Sequence, residues 1–350
     1  MKGRVVILDA IEGREAAALL VDGRIEEFAI EPAEDADLGG LLPGAICRAI
    51  ASRPMKGQGG IFVKLPGGES GFLRQVSGIA PGQRLLVQIS GPAEPGKALP
   101  VTTRLLFKSR FAIITPDAPG LNISRRIRDE EERGALQAIA TEVMAGAAEN
   151  LGLILRSACV EADEDEIAED AKAIRALAEA VLADVSGEAE LLVDAVSPHD
   201  LAWREWLDPY PDEVIDAPGG FAHLGVAEGL DELLTPRVDL PHGAHMWVEP
   251  TKALVAVDVN TGPDTSPAAA MKVNVAAARE LPRQLRLRGL GGQVVIDFAP
   301  MPKRDRNILE QVIKAAFKTD GDSILAGWTS LGLYELTRRR DRLPLAGLLG

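Results

Sequence analysis

The chain has 350 residues, of which 46% are hydrophobic and only 4% aromatic, and it carries a formal net charge of −14 at pH 7. That length allows two or three domains with aliphatic cores, and no apolar run approaches the ~18 residues of a membrane span. The charged start Met1-Lys2-Gly3-Arg4 argues against a secretory leader, the two cysteines Cys47 and Cys159 lack any zinc or disulfide spacing, and the acidity argues against a generic nucleic-acid binder, so a soluble cytoplasmic protein without a membrane partner is expected.

Residues 1–36 read as apolar strands near Val5 to Leu8, Ala17 to Val21 and Ile25 to Ile30, with a turn at Asp22-Gly23. Residues 37–102 read as all-β. Segments Ala45 to Ala51, Gly60 to Leu65, Gly71 to Val76 and Arg84 to Ile89 alternate with Gly/Pro turns, a spacing that suggests a small barrel. Residues 103–189 mix strands (Phe111 to Thr115, Gly152 to Arg156) with helices (Glu130 to Ala148, Ile167 to Ala183), and an acidic loop is expected between Cys159 and Ile167. Residues 190–236 are interrupted by Pro and Gly and show no clear period. Residues 237–350 alternate strand and helix. There the stripe Ile308, Leu309, Val312, Ile313, Ala316, Phe317 predicts a helix over 305–318 with Gly321 as its stop.

Two strands in this last region carry an aspartate inside an apolar run: Leu254-Val255-Ala256-Val257-Asp258-Val259-Asn260 and Gln293-Val294-Val295-Ile296-Asp297-Phe298. Alternation puts Asp258 and Asn260 on one face and Val255, Val257 and Val259 on the other, and turns Asp297 away from Ile296 and Phe298. The runs read as buried strands, in which a carboxylate is costly unless it is paired or holds a cation. Side by side, the strands would bring two carboxylates and an amide to one point, a hard oxygen set suited to Mg²⁺.

Other residues invite a phosphate or nucleic-acid reading, each with a plainer one beside it. Phe62 and Phe72 on adjacent predicted strands could stack on bases or fill the barrel. Lys97 lies on a loop after the barrel, and Arg125-Arg126 follow a turn where paired arginines can clamp phosphate or merely bridge salt pairs. Arg156-Ser157 ends a strand. Seven bases (Arg279, Arg283, Arg286, Arg288, Lys303, Arg304, Arg306) lie within 279–306 beside Asp297, with Arg338-Arg339-Arg340 and Arg342 further on, while seven acids lie within 160–170. His242 and His245 have no third ligand at a zinc-like spacing.

Taken in order, these segments resemble the catalytic core of the ribonuclease E/G family across nearly the whole chain. The stretch Ala253 to Thr261, the run Arg283-Gln284-Leu285-Arg286-Leu287-Arg288-Gly289-Leu290-Gly291-Gly292 and Val294 to Phe298 are the most specific matches, with Ile123-Ser124-Arg125-Arg126-Ile127 and Gly71-Phe72-Leu73 beside them. The resemblance implies an α+β multidomain fold. A ribonuclease-H-like domain (1–36 and 190–236) would be split around an S1 (OB-fold) barrel (37–102) and a 5′-sensor-like domain (103–189), followed by a DNase-I-like α/β catalytic domain (237–350). It also implies roles: Asp258 and Asp297 as the metal carboxylates, with Asn260 orienting the first. Phe62, Phe72 and Lys97 would be RNA-channel residues of the barrel, and Arg125, Arg156 and Ser157 would form a pocket for a 5′-monophosphate.

Some positions depart from the family. The Cys-Pro-x-Cys zinc link is not found in this sequence, so no structural zinc and no zinc-linked tetramer are expected and the oligomeric state stays open. A second pocket arginine falls near Asp322, Ala276 stands where the family usually has Glu, and Pro282 falls inside the helical pattern before Arg283, so strong dependence on the RNA 5′ end is not expected. The expected function is a Mg²⁺-dependent endoribonuclease cleaving single-stranded RNA, with Mn²⁺ as an alternative ion and Lys303 and Arg304 on flanking phosphates. The competing expectations are a non-catalytic RNA-binding protein that retains the fold and a metal-dependent DNase.

Overall fold

The computed structural model describes residues 2–34, 40–52, 59–74, 78–94, 96–160, 162–264, 266–318, 320–321 and 323–350. Glu161, Asp322, the end of the strand expected to reach Val76 and the expected boundary at 36/37 therefore lie outside the described residues. The chain divides into two compact units, Gly3–Ala17 with Asp37–Ile215, and Met1–Lys2 with Ala18–Ala36 and Asp216–Gly350.

In the first unit the strands Ile46–Ala51, Gly60–Lys64, Ser70–Arg74, Arg84–Ile89 and Leu99–Thr102 form a closed five-stranded barrel. Closure follows because Ile46–Ala51 pairs with Gly60–Lys64 at Ala51↔Val63 and with Arg84–Ile89 at Cys47↔Val87. Period-two alternation fills the interior with Cys47, Ala49, Ile61, Val63, Leu73, Leu85, Val87 and Ile89. Gly71 must lack a side chain there, since a Cβ would meet Val63 Cγ2 at 2.8 Å. Arg48 points outward from this strand yet is buried. Its guanidinium pairs with Asp184 and, at 2.9 Å, with Glu190, and it donates to the Glu188 carbonyl.

Beyond the barrel, a four-stranded sheet in the order Gly120–Ile123, Leu151–Leu155, Ala112–Pro116, Phe107–Lys108 packs against two helices, Glu130–Val143 and Glu164–Ala183. Ile114, Leu153 and Leu155 meet Leu136, Ile139, Ile167 and Val181 in one core. The first helix stops five residues before the expected Ala148, where Gly146 takes a left-handed φ of 73°. The expected acidic loop before Ile167 is instead a helix start. Asp163 caps the N-terminus by accepting from the Asp165 and Glu166 amides, and Glu164, Asp165 and Glu166 fill the first turn, where carboxylates complement the helix dipole. Region 190–236, without a clear period in the sequence, holds short pieces: strands Glu190–Val193 and Glu213–Ile215 and helices Pro198–Glu205, Gly220–His223 and Val226–Leu234.

The second unit is built on a six-stranded sheet in the order Arg237–Asp239, His245–Pro250, Val255–Asn260, Gly292–Asp297, Tyr334–Arg338, Ser323–Trp328. Only the pair Val255–Asn260 and Gly292–Asp297 is parallel. A parallel pair needs a crossover, supplied by the helix Pro267–Leu287, which Ser266 caps through the Ala269 amide. One face of the sheet, with Met246, Val248, Val255, Val257, Val294, Ile296, Tyr334 and Leu336, is buried against Val273, Ala277, Leu281 and Leu285 of that helix and Leu309 and Ile313 of the helix Arg306–Ala316. At ~1.5–3 kcal/mol per large side chain, this is the main stabilising contact of the unit. Ile308, expected in the core stripe, is 58% exposed instead. It sits at the margin of the stripe, where 3.6 residues per turn carries it past the sheet.

Three arginines of the basic run singled out in the sequence, and two beyond it, are engaged inside this unit. Arg283 pairs with Glu280 at 2.6 Å and donates to the Ile25 carbonyl. Arg286 pairs with Glu26 at 3.1 Å and Glu27 at 2.8 Å, and Arg342 with Glu27 at 2.7 Å. Arg288 donates to Thr235 O and to Gln284 Oε1, and burial with the nearby Arg283 charge pushes its guanidinium down to about 10. Arg338 meets Asp320 at 3.2 Å with side chains only 2% and 5% exposed.

Arg338→Met should destabilise the chain by roughly 3–5 kcal/mol in urea unfolding, because the buried Asp320 carboxylate is left unpaired. Adding Asp320→Leu should recover most of that loss. Equal losses in the single and double variants would show that packing, not the pair, sets the effect.

Candidate active site

On the open face of the six-stranded sheet, Asp258 and Asp297 stand directly opposite each other across the parallel pair. Each follows a buried residue, Val257 and Ile296, and each side chain is exposed. Alternation thus separates carboxylates from core as the sequence indicated, but the aspartates are not buried as the apolar runs suggested. Helices cover only one face of this sheet, and the acids lie on the other. Asn260, two residues along on the same face, donates its Nδ2 to Asp258 Oδ2 at 2.7 Å. That bond fixes the carboxylate rotamer.

The two carboxylates edge a depression of about 380 Å³ with Glu249, Ala256, Val295 and Leu333. Among the described residues, no group of three or more His, Cys, Asp or Glu side chains is arranged to hold a metal ion. Two carboxylates fit Mg²⁺ all the same, since that ion is ordinarily held by one or two carboxylates, with waters and substrate phosphates completing its shell. Across the strand from Asp258 stands Trp247, and across from Asn260 stands His245. Neither neighbour can be identified from the sequence, because cross-strand partners depend on register. Lys303 and Arg304 lie in a short 3₁₀ turn before the helix Arg306–Ala316, both exposed, Arg304 with Asp305 at 3.7 Å.

On the barrel, Phe62 and Phe72 are cross-strand partners with ring centroids 5.1 Å apart, both half-buried. They alternate with the interior residues Ile61, Val63 and Leu73, so they lie on the outer face and not in the core. Lys64 and Arg74, exposed and in phase with them, flank the ring pair, and the sequence reading missed both. Period two would have found them. Lys97 lies not after the barrel, as expected, but on the loop between its strands Arg84–Ile89 and Leu99–Thr102, and pairs with Glu94 at 2.9 Å.

The 5′-phosphate candidates are already engaged. Arg156 pairs with Glu205 and donates to Ser109 O at 2.7 Å and Arg204 O at 3.1 Å. The Ser157 hydroxyl donates to Asp208. Arg126, not its exposed neighbour Arg125, reaches this point, at 2.9 Å from Asp208 and 3.1 Å from the Ser157 hydroxyl. Burial draws the Glu205 carboxyl upward, but the charges of Arg156, Arg204 and Lys108 outweigh it and hold the group below the usual carboxylate range.

The sequence profile of the ribonuclease E/G family matches residues 107–216 and 211–341. Ribonuclease E of Synechocystis sp. is 32% identical over 314 residues, covering 78% of this chain and 46% of that protein. Ribonuclease E of Nostoc sp. is 30% identical over 314 residues, with 78% and 45% covered. Ribonuclease G of Escherichia coli K12 is 29% identical over 311 residues, with 77% and 62% covered. The chain thus spans about half the length of the ribonuclease E relatives. No helix among the described residues is long and apolar enough to cross a membrane.

The Glu205 pairing carries a pH signature. A carboxyl lowered on folding stabilises above its unfolded value of ~4.3, and that stability is lost as pH falls through the folded value. Urea midpoints should therefore separate wild type from Glu205→Gln at neutral pH and converge as pH drops below ~4. A separation that stays constant with pH would mean that packing, not charge, sets the Glu205 contribution.

Proposed function

The chain belongs to the ribonuclease E/G family, and from the carboxylates paired on the open face of its sheet we propose that it is a divalent-metal-dependent endoribonuclease acting on single-stranded RNA. The observation that carries this reading is the register Asp258↔Asp297 together with the Asn260 hydrogen bond. Mg²⁺, or Mn²⁺ in its place, would be held by Asp258 and Asp297 and would supply Lewis-acid stabilisation of the scissile phosphate and an acidified water. The chain's own part is to hold the two carboxylates one strand spacing apart, lock Asp258 through Asn260 and present phosphate ligands at Lys303 and Arg304. Phe62 and Phe72, flanked by Lys64 and Arg74, form a base-stacking and phosphate-binding strip on the barrel, with Lys97 on the loop before the strand Leu99–Thr102 as a further phosphate ligand. Domain limits in this reading are 37–102 for the S1/OB barrel, 103–189 for the 5′-sensor-like domain, 1–36 with 190–236 for the ribonuclease-H-like domain and 237–350 for the DNase-I-like domain.

The Arg125, Arg156 and Ser157 pocket is read differently from the simple resemblance. Asp208 and Glu205 take the donors that an RNA 5′-phosphate would need, so cleavage should be largely indifferent to the 5′ end. Neither cysteine of the chain is assigned to zinc in this reading. Cys47 and Cys159 are buried, and burial pushes their thiols up to about 11 and about 12, so neither offers a ready thiolate.

Asp258→Asn and Asp297→Asn should each abolish cleavage of a single-stranded RNA oligonucleotide while binding persists, and chelation should stop the wild type. A matched DNA oligonucleotide should survive. RNA bound but not cut by the wild type would make this a binding protein, and unchanged cleavage in the double variant would remove the site.

A 5′-monophosphate should change the rate less than about twofold relative to a 5′-hydroxyl. A large monophosphate preference would show that Asp208 and Glu205 yield to the ligand.

Phe62→Ala and Phe72→Ala should each weaken RNA binding by about 1–3 kcal/mol. Thermal melts should show a smaller loss than the ~3–5 kcal/mol of a core truncation. A stability loss of that size, accounting for all the lost binding, would place the rings in the core.

A further inference from the structure

The open face of the sheet carries more than the carboxylate pair. Three successive registers, Arg237↔Trp247, Trp247↔Asp258 and Asp258↔Asp297, set a cation, an aromatic ring and the two acids in one straight row across four strands. Neighbouring strands lie about 4.8 Å apart, which puts Trp247 beside Asp258 and Arg237 roughly 10 Å from it.

Trp247 sits between buried Met246 and Val248, so its ring belongs to the open face, where it is half-buried. The imidazole of His245 holds it edge-on, with centroids 6.0 Å apart and planes at 85°. An indole left on a solvent-facing sheet beside two carboxylates has no core to fill. Arg237 is 49% exposed and its partner Asp239 is 80% exposed, so that ion pair is weak and easily exchanged for a phosphate. In the neighbouring row across the sheet, Glu249 and Glu335 flank Ala256 and Val295. That row offers no cation to a phosphate, whereas the row through Trp247 ends in Arg237, which does.

We propose that Trp247 and Arg237 form a nucleotide subsite in line with the carboxylate pair. Trp247 stacks the base of a nucleotide adjacent to the reacting phosphate, and Arg237 takes the following phosphate. The subsite reads single-stranded nucleic acid by its ring faces and backbone charge, without a base-edge code. It rests on reading Asp258 and Asp297 as the RNA-cleaving site.

The test is a binding scan with the divalent ion chelated, so that its result does not depend on cleavage. A fluorescently labelled RNA oligonucleotide with one cleavage position, and versions with a single abasic position moved along it, are titrated against wild type, Trp247→Ala, Trp247→Phe and Arg237→Gln. Trp247→Ala should bind the intact RNA about tenfold more weakly, Trp247→Phe should restore most of that, and both should melt with the wild type. The Trp247→Ala defect should vanish for the RNA abasic at one position next to the cleavage site and persist for the others. Arg237→Gln should lower the salt slope of binding by about 0.7, one phosphate's worth for a single strand. An equal Trp247→Ala defect at every abasic position, or none, would overturn the subsite while leaving cleavage by the wild type intact. A position-specific defect in a protein that cuts nothing would keep the subsite and overturn the nuclease reading. Absence of RNA binding by the wild type would overturn both.

Discussion

The register of one parallel strand pair is the constraint on which the second unit's chemistry depends. Val255–Asn260 and Gly292–Asp297 are aligned so that Val257 meets Ile296 on the buried face and Asp258 meets Asp297 on the open one. Side chains alternate with a period of two, so a slip of one residue in either strand would move its carboxylate to the helix side and its valines to water. The apolar stripe of Pro267–Leu287 and the side chains Leu309 and Ile313 penalise that slip by several buried side chains at once. Hydrophobic packing on one face therefore positions charge on the other. Neither acid needs a buried partner to hold it, because the position is fixed by the backbone beneath.

Charge follows a similar division of labour. The chain is strongly acidic, and several of its arginines are spent on its own carboxylates and carbonyls: Arg283, Arg286 and Arg288 around the helix Pro267–Leu287, and Arg338 and Arg342 after it. The same holds around Glu205 and Asp208, whose carboxylates occupy Arg156, Arg126 and Ser157. Exposed cations nevertheless remain in several places, among them Lys64 and Arg74 on the barrel, Arg125 beyond it, Arg237 on the edge strand of the six-stranded sheet, and Lys303 and Arg304 beyond the Asp297 strand.

Much of this was legible in the sequence, and what was not has a common cause. Strands such as Val255–Asn260 and Gly60–Lys64 announced themselves by β-branched runs and Gly/Pro boundaries, and the facing of Asp258, Asn260 and Asp297 followed from alternation alone. The acidic segment after Cys159 was misread because charge density resembles a solvated loop, although Asp163 before three acids is a helix-capping pattern. Ile308 failed because a helical stripe is wider in sequence than the contact it makes. Trp247, Arg237 and the engagement of Arg156 were invisible for a deeper reason. Cross-strand neighbours and ion pairs between distant segments depend on register and tertiary packing, which composition and period do not encode.

The crossover that makes the central strands parallel has a consequence during synthesis. Gly292–Asp297 lies between Val255–Asn260 on one side and Tyr334–Arg338 on the other. On the ribosome, Asp258 emerges first, then the whole helix Pro267–Leu287, and only afterwards Asp297. Until Tyr334–Arg338 has also left the exit tunnel, the strand bearing Asp297 has an unpaired edge and few long-range contacts to secure it. The carboxylate pair is thus secured only after the strands on both sides of Gly292–Asp297 have been made, well after Asp258 itself.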